Sequence, residues 1–107
     1  MASEYSITFN YNKAINQAND LVDIAKEIRK VANDKMETSI QTVDKNWDGD
    51  SSKKFVNKSR QLKAKVVDSA DDIDAIASAI KTMAKKIYDA EMEALRIARE
   101  REAKLSQ

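Results

Sequence analysis

The sequence predicts an all-α protein, an antiparallel two-helix hairpin closed by a W-x-G turn. Three observations carry that prediction. The 107 residues contain no proline and a single glycine, Gly49. That glycine follows the only tryptophan by two positions, in Trp47-Asp48-Gly49 near the middle of the chain. On either side the sequence is rich in Ala, Lys and Ile, with Glu, Gln and Leu among them, and apolar residues recur every three or four positions. Glycine takes positive φ at little cost, so it marks the natural point for the backbone to reverse.

Residues 1–9 read as an N-terminal arm, because Tyr5, Ile7 and Phe9 alternate as they would in extended chain. Asn10 is then a candidate N-cap for a first helix over 10–46. Ala18, Leu21, Val22, Ala25, Ile28, Ala32, Met36, Ile40 and Val43 draw one stripe along it, ending at Trp47. Such a stripe covers roughly 35 residues and about 50 Å of helix.

After the turn at 47–49, a second helix is expected over 50–90, with Asp50 or Ser51 available to cap its first amides. Its stripe is Phe55, Ser59, Leu62, Val66, Ser69, Ile73, Ile76, Ile80, Met83 and Ile87, continuing through Ala90 and Ala94. The four-three alternation is a seven-residue repeat, which favours shallow, supercoiled packing against the first helix. Val56, Val67, Ala70 and Ala77 lie beside the stripe and widen it, so a surplus apolar face is a candidate interface. Residues 91–107 become densely charged, with Arg96/Glu100 and Glu100/Lys104 at helical spacing, and read as a helical tail. No Pro/Gly/Ser-rich linker divides the chain, so 1–107 is read as one domain. A lone helix pair buries only one side of each helix, and a second copy or a different partner is expected to complete it.

The chemistry on offer is narrow. With no histidine and no cysteine, the usual proton shuttle, thiol nucleophile and zinc-thiolate site are absent, and enzyme activity is not expected. Asp68, Asp71, Asp72 and Asp74 read as a solvated face rather than paired acids. Asp44, Asn46, Asp48 and Gly49 spell the first half of a calcium loop, but its twelfth place is Phe55, where a bidentate carboxylate is required. No metal or other cofactor is therefore expected. The net charge is +1 without a basic block, which argues against nucleic acid. The polar faces mix both charge signs and lack an interfacial aromatic and basic composition, which argues against stable membrane insertion. Neither a signal peptide nor a span of ~18 apolar residues is visible. Trp47 has two readings, a plug closing the turn end of a thin core or part of a surface read by another protein, and the plug is favoured.

Taken together, Trp47-Asp48-Gly49, the following Asp50-Ser51-Ser52-Lys53-Lys54-Phe55 and the two flanking helices resemble the W-x-G family of small proteins of type VII (ESX) secretion. The resemblance spans about residues 5–95. It implies a hairpin that pairs head to tail into a four-helix bundle, with itself or with a paralogue. It also implies export from the cytoplasm, without a cleavable signal peptide, through a membrane-embedded ATPase machine. In the family a C-terminal Tyr is followed four residues later by Asp or Glu. Here Tyr88 meets Met92 at that place, with Glu91 and Glu93 on either side. A looser hydrophobic-acid-hydrophobic-hydrophobic pattern can be laid on Ile87, Glu91, Ala94 and Ala98. Two roles stay open: a secreted substrate acting by binding as a dimer, or a dedicated partner for the helical N-terminal region of a larger secreted toxin.

Overall fold

Gly49 does what the only glycine in the chain was expected to do: it adopts φ +109° and lets the chain turn between two helical arms. The computed structural model describes residues 3–106, and helix accounts for all of them except Ser3, Trp47–Gly49 and Ser106. The first arm is α1 (Glu4–Lys30), a π-helical segment (Val31–Met36) and α2 (Glu37–Asn46); the second is one helix, α3 (Asp50–Leu105). The all-α hairpin is thus observed, and the tail stays helical to Leu105.

The expected arm is corrected. Glu4 to Phe9 are already helical, and Asn10 lies inside α1 rather than at its cap; Met1 and Ala2 of the arm fall outside the described residues. Ser3 supplies the cap instead. The Ser6 N–H donates to Ser3 Oγ at 3.1 Å, and the Ser6 hydroxyl donates to the Ser3 carbonyl at 3.0 Å. Ile7 is buried while Tyr5 and Phe9 are exposed. An alternating triplet is therefore one inward position of a helix flanked by two outward ones.

Contacts group the chain into two compact units, Leu21–Ala75 and Met1–Asp20 with Ile76–Gln107. In the first, the fully or nearly buried positions are Ala25, Ala32 and Ile40 on the first arm, and Ser52, Val56 and Ala70 on α3. In the second they are Ile7 and Ala18 on α1, and Ala77 and Ala84 on α3. Alanine at heptad intervals brings helix axes close, since the side chains at the contact set the spacing.

This seam corrects the expected rotation of the second helix. Val56, Ala70 and Ala77, which spacing puts beside the stripe, are the buried column, whereas Phe55, Leu62, Ile76, Met83 and Ile87 are more than half exposed. Val66, Ile73 and Ile80 are half-buried between the two columns. Adjacent residues on a helix point about 100° apart, so the choice between columns is a rotation by one position. The small column of α3 is the one that matches the alanines of the first arm. On the first arm Leu21, Val22, Ile28, Met36 and Val43 are half-buried, and Ala25, Ala32 and Ile40 are buried.

The π segment follows from the same seam. Ala18, Ala25 and Ala32 are seven residues apart, but the next buried residue is Ile40, eight further on. A strict repeat would bring Ser39 inward. The wider i→i+5 turn, seen where the Glu37 N–H reaches the Ala32 carbonyl, absorbs the surplus residue and keeps Ile40 in line.

Candidate interaction surface

The turn is built from backbone and one hydroxyl. The Trp47 N–H donates to the Val43 carbonyl at 2.9 Å, and Trp47 then turns extended (φ −118°, ψ 134°), which ends α2. The Gly49 carbonyl accepts from the Lys53 N–H at 3.2 Å and so starts α3. Ser52, buried at 5% exposure, places its hydroxyl 2.9 Å from the Gly49 carbonyl and 3.2 Å from the Trp47 carbonyl, and can donate to either. A polar residue in a helix start carried no sign of this role in the sequence. The Trp47 side chain is 62% exposed, so the indole does not plug the turn end of the core. Asp44 and Asn46 belong to α2, and the Asn46 amide donates to the Thr42 carbonyl at 2.8 Å, so the calcium-like lettering is a helix end.

The unit Leu21–Ala75 has two flanks beside its seam. One is polar and internally paired. Arg29 donates to Asp71 at 2.7 Å and also to Asp74. Glu37 accepts from Arg60 on both carboxylate oxygens, each at 2.9 Å, from Lys63 at 3.1 Å and from the Gln41 amide at 3.2 Å. These donors, Arg60 first and then Lys63, hold the Glu37 carboxyl down to about 2. The hydrogen bonds to Asp71 and then Asp74 raise the Arg29 guanidinium above its usual value. Two of the acids read as a solvated face thus bind an arginine across the seam. Their register opposite Arg29 depends on the rotation of α3, which spacing along one helix does not give.

The other flank is apolar. Ile24, Ile28 and Val31 meet Val66 around a shallow hollow whose edge carries Asp23 and Glu27. A second hollow is lined by Met36, Ile40, Val43, Phe55 and Leu62, with Lys35 at its side. Ile24, Val31, Phe55 and Leu62 are between 45% and 56% exposed, so this flank lacks a cover in the single chain.

In the unit formed by Met1–Asp20 and Ile76–Gln107, Tyr11 and Tyr88 pack with ring centroids 5.0 Å apart, and Lys85 Nζ sits 5.4 Å from the Tyr88 ring centre. Lys85 also pairs with Asp89 at 2.8 Å. The rings, with Ile7, Ala14, Ala84 and Ile87, enclose a small hollow of about 150 Å³ that has Asn10 and Glu91 at its edge. Of the candidate export residues, Ile87, Tyr88 and Glu91 are thereby brought together; Ala94 is exposed and Ala98 half-buried further along α3. Tyr11 was not singled out by spacing, because its partner lies on the other helix. Arg96 bridges Glu93 and Glu100 along the tail, and Arg99 reaches Glu4 at 3.4 Å.

The fold and this surface define a class: helical hairpins that are held by a small-residue seam and leave an apolar flank uncovered in the single chain. Within that class, the family model described as "Proteins of 100 residues with WXG" matches residues 6–92, and the chain belongs to this family, the W-x-G proteins of type VII secretion. No curated protein and no solved structure matches the chain. No helix among the described residues is long and apolar enough to cross a membrane.

Proposed function

We propose that the protein is a small secreted substrate of a type VII secretion system that acts by binding, as a dimer whose two hairpins cover each other's apolar flanks. The observation that carries this reading is the uncovered flank of Ile24, Val31, Phe55 and Leu62 in the unit Leu21–Ala75 of a member of the W-x-G family. A protein partner that covers this exposed apolar surface would remove it from water, at a gross gain of roughly 25 cal/mol per Å² before the costs of association. Export is proposed to run through the secretion ATPase, with Ile87, Tyr88, Glu91, Ala94 and Ala98 as the docking segment. Chemistry by the chain itself is not part of the proposal, since it has neither histidine nor cysteine.

A second reading is favoured by one observation. Tyr88 lacks an acid four residues on and is packed against Tyr11 rather than free, so another chain could complete the signal. In that case the protein is the dedicated partner of a larger secreted toxin of the L-x-G class, pairing with its helical N-terminal region. Light scattering during size exclusion separates the two: a stable dimer of the purified chain supports the first, and a monomer that dimerises only with a toxin segment supports the second. Trp47→Ala tests the turn in either case. Export or partner affinity is expected to fall while helicity is kept, and unchanged export with unchanged affinity would remove Trp47 from the function.

A further inference from the structure

We propose that the Asp48–Gly49 bond is a site of spontaneous covalent modification, at which Asp48 cyclises to a succinimide and reopens mainly as isoaspartate. The chemistry needs a carboxyl side chain, a following amide nitrogen with nothing crowding it, and a backbone free to bring the two together. Every other Asp, and every Asn, lies within a helical element, where the backbone is fixed and the next residue carries a Cβ. Asp48 stands outside the helices, is exposed, and is followed by the only glycine. Its side chain makes no hydrogen bond or ion pair among the described residues, and neither does the Gly49 N–H. No atom lies within 4 Å of the point where a Cβ on Gly49 would sit, so the space beside the attacking nitrogen is open.

The reaction balances with water alone. The Gly49 nitrogen attacks Cγ of the protonated Asp48 carboxyl, a C–N bond forms, and one carboxyl C–O bond breaks. The oxygen leaves as water with the amide proton and the acid proton. Water then adds to either ring carbonyl: opening at Cγ restores aspartate, and opening at the main-chain carbonyl gives isoaspartate. The product is an isomer of the starting chain with one more carbon in the main-chain path of the turn. That carbon is inserted between Trp47 and the Ser52 clamp, so the indole and the start of α3 are re-aimed together.

The test uses the full-length chain, aged at neutral pH and body temperature and then digested and mapped. Methyl labelling by protein L-isoaspartyl methyltransferase and mass spectrometry of the turn peptide are the readouts, and a free peptide spanning Trp47 to Asp50 ages in the same buffer as a control. The expected result is more isoaspartate at Asp48 than at all other Asp and Asn positions together, preceded by a turn peptide lighter by one water. Asp48→Glu, whose ring would be six-membered and slow to close, is expected to lose the turn signal while keeping its helicity. A turn peptide that stays wholly aspartate while the free peptide converts would overturn the proposal. So would labelling that is the same in wild type and Asp48→Glu.

Discussion

On one flank of Leu21–Ala75, Arg29 is held by Asp71 and Asp74 and Glu37 by Arg60 and Lys63; on the other, Ile24, Val31, Phe55 and Leu62 face water with no cover. Both flanks border the same seam and are built from the same two helices. The polar flank spends its charges inside the chain, where half-exposed pairs fix register more than they add stability. The apolar flank has no such pairing within the chain. If the proposed dimer forms, a hairpin of this kind is complete on one side and half an interface on the other.

The sharpest way to break that contrast is to put charge on the apolar side. Ile24→Asp with Leu62→Asp is expected to cost self-association or partner binding about 2–4 kcal/mol, roughly 30- to 1,000-fold in Kd, with helicity kept. Light scattering across a dilution series reads it, and an unchanged dimer would place the interface elsewhere. Next comes the seam that separates the flanks. Ala70→Leu forces a large side chain between closely packed helices and is expected to destabilise the fold by about 1–3 kcal/mol in a denaturant titration. A neutral result there would mean that the helices are not held as close as the buried alanines indicate.

Ser52→Ala removes the hydroxyl that clamps the turn carbonyls and should cost about 1 kcal/mol, without altering the partner's affinity for the flank. The smallest effect is expected on the polar side. With its carboxyl held at about 2 against an ordinary 4.5, Glu37 contributes stability that is fully present above pH 4.5 and is lost as the pH falls toward 2. The Tm difference between wild type and Glu37→Gln should therefore shrink over that window. A difference that stays constant through it would mean that the carboxylate is not what Arg60 and Lys63 are reading.

Much of the fold was legible because so little in the sequence competes with helix. One glycine and no proline leave one place to turn, and that place was read correctly. Most of what spacing does not give depends on what lies across the seam or the turn. Phe55 and Val56 are neighbours, both apolar, and only the arm across the seam decides which of them points inward. Ser52, Arg29 and Tyr11 have partners on the opposite arm or across the turn, and spacing within one helix is silent about them. Two signals were present and went unused. Ser3 followed by Ser6 could have placed the first cap, and the eight-residue step from Ala32 to Ile40 marks the π segment.

Trp47 is the only indole in the chain and stands 62% exposed at the turn. Its fluorescence therefore comes from one place, with no other tryptophan to dilute it. In the free protein that emission should sit toward the red, as it does for an indole in water. Any molecule that settles over the turn will move it to the blue, whereas one that covers only the distant helix ends will leave it alone. The hairpin thus carries its own optical gauge of where a partner lands, with no label attached.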